Sequence, residues 1–307
     1  MAGYFPAQLG ELQMKLNWMR RQQLVGYMFI APNMIGVTAF IILPALFSIF
    51  LAFTNWEFPQ LSADFVGMSN FSRLVQDEVF YNSLKNTLIF LGSVPISVGL
   101  GFLAALVLNK SVYFKKVLRT MFFLPYITTG VAIAFVWMLI FQPVNGPVNT
   151  LLMNLGISNP PGWLSSTSSA IFVFDIIWIW FLLGYNIIIY LAALQEISSE
   201  QLEASKIDGA RLFHTVRYVI WPLVSPTTLF LLMTGFIVSI KQMGIFQAVT
   251  NGGPGDSTTV LSLYIYKTAF RYYDMGYASA ISVALLVIII LITAIQWIAQ
   301  KKWVHYS

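Results

Sequence analysis

The sequence predicts an all-α integral membrane protein with about six transmembrane helices, and three observations carry that prediction. Of its 307 residues, 58% are hydrophobic and 9% charged, whereas a soluble domain carries roughly 25% charged residues to cover its surface. The apolar residues gather into runs long enough for a bilayer-spanning helix, which takes roughly 20 residues. Lys and Arg are shared unequally between the segments that join these runs, the asymmetry expected of a multi-pass protein.

Six runs qualify: Tyr27–Phe53, Asn86–Leu108, Met121–Phe141, Ala170–Ala193, Leu223–Gly244 and Tyr277–Ile298. On one side lie Lys15, Arg20, Arg21, Lys110, Lys115, Lys116, Arg119, Lys206, Arg211, Arg217, Lys301 and Lys302, twelve residues against the four of Arg73, Lys85, Lys267 and Arg271 on the other. The richer side is predicted to be cytoplasmic, and with it both termini. Lys241, near the outer end of the fifth run, can snorkel toward the interface. The net charge of +5 gives no reason to expect a nucleic-acid partner, because the basic residues form short clusters between apolar runs and no continuous stripe. With no cysteine in the chain, there is no disulfide framework, thiolate metal site or redox motif.

The first run is predicted to be retained as an anchor. It extends past the roughly 7–15 apolar residues of an export signal and lacks a small-residue cleavage site. Ahead of it, Leu9, Leu12, Leu16 and Met19 recur at helical spacing beside Lys15, Arg20 and Arg21, which predicts a helix lying in the cytoplasmic interface. A frayed, charged tail is the alternative. Residues 1–26 are thus assigned to an N-terminal interfacial helix, 27–299 to the six-helix domain and 300–307 to a cytoplasmic tail. On the outer side, Leu151, Leu152 and Leu155 sit between Pro and Gly clusters within 145–163, which predicts a short surface helix between turns.

The polar segment 196–222 reads as two short cytoplasmic helices joined by a turn. Ser198 with Gln201 makes a capping box, and Glu200 suits the positive end of the helix dipole. Gly209 can end the first helix in a left-handed conformation. Pro222 suits the first turn of the following span, where a missing N–H costs least. A solvated amphipathic connector would show the same composition, and spacing separates the two readings. Glu203-Ala204-Ser205, Gly209 six residues after the Glu and Pro222 thirteen after the Gly resemble the EAA motif of permease subunits in binding-protein-dependent ABC importers. Ser205 stands for the second Ala of that motif, Val219 for its Ile and Trp221 for its Leu.

A second stretch narrows the resemblance. Thr250-Asn251-Gly252-Gly253-Pro254, then Thr258, Thr259, Tyr264, Tyr266, Phe270, Gly276, Tyr277, Ala278 and Ala280, is similar to the pattern of sugar permeases related to the maltose and glycerol-3-phosphate systems. It is most like the subunit type represented by the maltose permease F protein. Gly67, Asn70, Phe71, Asn86 and Thr87 match as well, so the resemblance covers nearly the whole chain. It implies a type I ABC importer permease fold in a bacterial or archaeal cell (inner) membrane. It also implies a second permease subunit, two ATP-binding subunits, an extracellular solute-binding protein and a carbohydrate substrate. Glu203, Ala204, Ser205, Asp208 and Gly209 would then form the helix that couples to the ATPase, its small residues permitting close approach.

The chain itself contains no Gly-Lys dipeptide, hence no GxxxxGK[ST] loop, so ATP and Mg²⁺ are expected on the partner ATPase and no cofactor or catalytic residue on this chain. His214 and His305 lack metal-ligand spacing and read as surface residues. Asp175, the one acid inside a predicted span, reads as a solvated group near the outer mouth, although intramembrane acids can serve proton relays. For the solute path, Gly235, Ser239 and Gln242 share a helical face in the fifth run, and Trp178 and Tyr185 belong to an aromatic stripe in the fourth. Such faces suit a sugar, whose C–H faces meet rings and whose hydroxyls meet amides. Small residues in spans also serve helix packing, and both roles stay open at this point. An ion-coupled transporter or channel is the competing class; it calls for ionisable residues in several spans, and here only Asp175 and Lys241 are candidates.

Overall fold

The computed structural model describes residues 5–60, 62–109 and 115–305, without the side chains of 5–17, 19, 115 and 116. Among the described residues the regular elements are all helical, and two isolated bridges, Thr54 with Phe65 and Glu57 with Asp274, are the only strand-like pairings. The chain runs through α1 (Phe5–Val37), α2 (Leu43–Leu51), α3 (Ser69–Val75), α4 (Glu78–Leu91), α5 (Ser93–Asn109), α6 (Lys115–Ile127), α7 (Gly130–Ile140) and α8 (Pro147–Asn154). It continues through α9 (Ala170–Glu196), α10 (Ser199–Ile207), α11 (Leu212–Thr215), α12 (Trp221–Ile240), α13 (Gly244–Val249), α14 (Leu261–Phe270) and α15 (Met275–Gln300). Of these, α8 is the expected outer surface helix.

Five helical stretches are long and apolar enough to cross a membrane: Arg20–Leu51, Glu78–Asn109, Ala170–Glu196, Leu212–Ile240 and Met275–Gln300. The pair α6 and α7, bent by 104° at the break between them, makes a sixth when taken together as one span. The expectation of one continuous helix over Met121–Phe141 is therefore corrected. Pro125 lies inside α6, which runs on to Ile127, so the break falls in the two residues after that end, before α7. Thr128 Oγ1 donates back to the Leu124 carbonyl at 2.8 Å, and Thr129 takes an extended conformation before α7 begins.

Two other spans pass through a proline by a different device. Five-residue π turns at Thr38–Ile42 and Val216–Ile220 precede Pro44 and Pro222. There the N–H groups of Leu43 and Trp221 donate to the carbonyls of Thr38 and Val216, five residues back. The wider turn makes room for the ring and keeps the helix running. Pro222 consequently lies inside a helical run from Leu212 to Ile240, and the predicted start of the fifth span near Leu223 moves back by about three turns.

The body is organised around α5 and α9. Asn186 Nδ2 donates to Ser97 Oγ at 2.9 Å, and Ser97 Oγ donates to the Ile179 carbonyl at 3.1 Å, giving the polar groups of this crossing partners away from water. Phe90, Phe102, Phe174, Trp178, Tyr190 and Phe246 are among the large side chains of the main core. A smaller cluster at the other side joins Leu74, Phe80, Tyr264, Tyr277 and Ile281. The first span stands apart, with only 6% of its most apolar window buried. Its outer end is fastened by Asn70, whose Nδ2 donates to the carbonyls of Ala52 at 2.9 Å and Thr54 at 2.8 Å. The backbone of α1 shows no break at residue 26. The side chains behind the interfacial expectation, Leu9, Leu12, Leu16 and Met19, lie outside the described residues.

Candidate functional site

The polar segment folds as its local chemistry dictates. Ser198 Oγ accepts from the Gln201 N–H at 3.4 Å and caps α10. At the other end Gly209 sits at φ +75°, where a Cβ would be strained. Its N–H donates to the Lys206 carbonyl and that of Ala210 to the Ser205 carbonyl, both at 3.0 Å. This pair of bonds is a Schellman closure, and it fixes the angle between α10 and the helix that follows.

The closure decides which residues face outward. Glu203, Ala204, Ile207, Asp208 and Gly209 are exposed, Ile207 to 86%. Ser205 is buried at 7% exposure; its Oγ donates to the Leu202 carbonyl at 2.8 Å and lies 3.5 Å from Thr215 Oγ1. Of the two small residues expected to permit close approach of a partner, only Ala204 lies on the exposed face of α10. Consecutive helical residues point about 100° apart, so Ala204 faces out while Ser205 ties α10 to α11.

Within the membrane region, the residues proposed for a solute path separate into two groups. Trp178 and Ser239 are each 2% exposed, and Trp178 Nε1 donates to Ser239 Oγ at 2.6 Å. A Cβ on Gly235 would come within 2.7 Å of Val94 Cγ1, so this glycine lets α12 approach α5. In this conformation the three hold α5, α9 and α12 together. Gln242 lies beyond the end of α12 and does not continue the Gly235–Ser239 face; its backbone carbonyl accepts from Ser262 Oγ at 2.8 Å. Gln242 and Tyr185 are both part-exposed. Tyr185 stacks on Tyr126 with ring centroids 4.9 Å apart, and the column continues through Phe181 to Trp178. Sequence reasoning missed Tyr126. Its position one residue after Pro125, in the same apolar run, was the available signal. Asp175 is half-buried on α9, and its Oδ1 has no hydrogen-bond partner.

On the opposite face the matched motif residues build a polar bracket. Asn86 Nδ2 donates to the carbonyls of Asp256 and Thr259, both at 3.0 Å, and Thr87 Oγ1 accepts from the Leu261 N–H at 2.9 Å. These bonds pin the loop after Gly252-Gly253-Pro254 to α4. Asp77 caps α4 by accepting from the N–H groups of Val79 and Phe80, while its other oxygen accepts from the hydroxyls of Tyr264 and Tyr277. Burial alone would raise the Asp77 carboxyl, but the two tyrosine hydroxyls and two N–H groups outweigh it and hold the pKa below the ordinary value. Arg73 lies over the Tyr277 ring and pairs with Asp274 at 2.7 Å. Asp274 in turn caps α15 through the Tyr277 N–H at 3.0 Å.

A bundle of membrane-crossing helices carrying one exposed, capped helical elbow is a multi-pass membrane architecture. Residues 97–305 match the family described as binding-protein-dependent transport system inner membrane component, and the chain belongs to that family of ABC importer permeases. It is 34% identical to the probable ABC transporter permease protein YesP of Bacillus subtilis (strain 168), covering 95% of this chain and 96% of that protein. It is also 34% identical to the sn-glycerol-3-phosphate transport system permease protein UgpA of Agrobacterium fabrum, over 93% and 97% of the two chains. To the lactose transport system permease protein LacF of Rhizobium radiobacter the identity is 33%, over 90% and 94%. Among solved structures, a bacterial ABC transporter involved in the import of the acidic polysaccharide alginate superposes with a TM-score of 0.77 at 23% identity, covering 94% of this chain and 99% of that one. The fold is that of a type I importer permease.

Proposed function

We propose that this chain is one transmembrane subunit of an ATP-driven importer that passes a carbohydrate into the cytoplasm. The solute would arrive from an extracellular solute-binding protein, and transport would proceed by alternating access between outward- and inward-open states. The observation that carries this reading is the α10 elbow: capped by Ser198, closed by Gly209, and presenting Glu203, Ala204 and Ile207 to the outside. A helix held so firmly at both ends can transmit a displacement from a partner into α12, to which it is joined through α11. Two ATP-binding subunits would hold ATP and Mg²⁺ and supply that displacement. A second permease would complete the translocation path, and the exposed first span offers surface for it. The protein would lie in the cell (inner) membrane with both termini cytoplasmic, as the Lys and Arg distribution supports.

Tyr185 and Gln242 are the residues proposed to meet the solute. Trp178, Gly235 and Ser239 set the spacing of the helices behind them. The carbohydrate reading rests on relatives named for lactose, and for starch degradation products in Thermoanaerobacterium thermosulfurigenes, and on the aromatic column, whose rings suit the C–H faces of a pyranose. Glycerol phosphate is the second reading, because several relatives carry that name. A phosphate calls for Arg or Lys in the path, and the proposed path offers rings and an amide.

Reconstituting the complex in liposomes with labelled sugars and labelled glycerol phosphate, with and without ATP and the binding protein, tests the whole reading. Uptake of sugar that needs both additions is expected. Uptake without ATP would turn the assignment toward an ion-coupled carrier, and uptake of glycerol phosphate alone would replace the substrate.

A further inference from the structure

Behind the α10 elbow lies a cavity of about 910 Å³, toward the upper end of the roughly 300–1,000 Å³ of small-molecule sites. Its walls are the last turns of α5 and α9 and the inner faces of α10 and α11, with Leu103, Val107, Leu194, Leu202 and Ile220 among the lining residues. Among the described residues one charged side chain lines it, Lys206, which has no described carboxylate within ion-pair distance. Leu103, Val107 and Leu212 are themselves exposed at this site. A water-filled cavity with walls this apolar is unfavourable, since there are few groups to hydrogen-bond the water.

The location narrows the occupant. The cavity sits at the ends of α5 and α9, on the side that the distribution of basic residues, twelve against four in the connecting segments, assigns to the cytoplasm. An amphipathic, negatively charged molecule satisfies both features: apolar chains against the leucines and a phosphate on the ammonium. We propose that this cavity binds an anionic phospholipid of the cytoplasmic leaflet, its acyl chains between α5 and α11 and its phosphate on Lys206. Because Lys206 belongs to α10, the bound lipid bears on the elbow itself and steadies it against α5. This site is independent of the transported solute.

The test uses the full chain in nanodiscs of phosphatidylcholine with a minor fraction of phosphatidylglycerol, followed by native mass spectrometry of the lipid retained on release. Wild type should retain phosphatidylglycerol preferentially. Lys206→Gln, at an exposed position, should weaken that preference about fivefold, the factor expected from one basic residue near an anionic surface. Val107→Trp, which fills the cavity from its exposed wall and leaves Lys206 in place, should lower retention of both lipids. Far-UV circular dichroism and gel-filtration profiles matching wild type confirm that each variant is folded. Equal retention of the two lipids by wild type overturns the proposal. So does a preference that survives both substitutions, since the lipid then sits elsewhere.

Discussion

Asp77 is a short side chain with four donors: two backbone N–H groups at the start of α4 and two tyrosine hydroxyls from α14 and α15. Hydrogen bonds to a charged acceptor contribute roughly 1.5–3 kcal/mol, so Asp77→Asn should lower the unfolding temperature of the detergent-solubilised protein at neutral pH. The pH dependence has a definite sign. The folded-state pKa is depressed, so the stabilisation is complete above the unfolded carboxylate value of roughly 3.9 and is lost as pH falls through the lower folded value. Melting curves between neutral pH and about pH 3 should therefore fall more steeply for wild type than for Asp77→Asn. Ser239 makes a second residue-scale case. Ser239→Ala leaves the buried Trp178 Nε1–H without its acceptor, at a cost of about 1–3 kcal/mol, which a thermal shift can read. If Ser239 serves packing alone, the apparent affinity for solute should not move with it.

Between helices, close approach replaces hydrogen bonding as the governing term. A Cβ at Gly235 meets Val94 Cγ1 at 2.7 Å, so Gly235→Ala should destabilise the α5–α12 contact by roughly 1–3 kcal/mol. Adding Val94→Ala should recover much of that loss, because the two positions share one contact and their effects cannot be additive. What the sequence made legible at this scale was local. Ser198, Gly209 and the leucines of α8 announce their caps and turns through chemistry within a few residues. Pro125 signals a disturbance in the third span, but the 104° bend falls beyond it, between Ile127 and Gly130. Pro222 misled the placement of the fifth span, because a π turn absorbs it and the helix continues. The Asp77 bracket was illegible from pattern alone: its partners lie 187 and 200 residues away, and only the fold brings them together. Residues matched as motif, such as Asn70, Asn86, Thr87, Tyr264 and Tyr277, turn out to be the pins of that outer assembly.

For the whole molecule, the elbow and the bracket occupy opposite ends of the bundle, with the α5–α9 crossing between them. In the proposed mechanism a displacement at α10 would pass through α11 and the π turn into α12, whose far half packs on α5 and α9 through Gly235 and Ser239. Shortening the elbow by deleting Glu203 to Gly209 should abolish uptake and loosen the ATP-binding subunits in a pull-down, with the bundle still inserted. Replacing Gly209 by Ala tests orientation separately from contact: the left-handed conformation costs about 1–2 kcal/mol without a glycine, so transport should fall further than ATPase binding. The absence of native cysteine makes the central claim open to a direct measurement. A single cysteine at the outward-facing Ala204, cross-linked through a short reducible linker in the assembled complex, should capture an ATP-binding subunit and stop uptake until the linker is reduced. Capture of no such subunit, or full uptake while the cross-link is intact, would contradict the elbow's role as the mechanical joint.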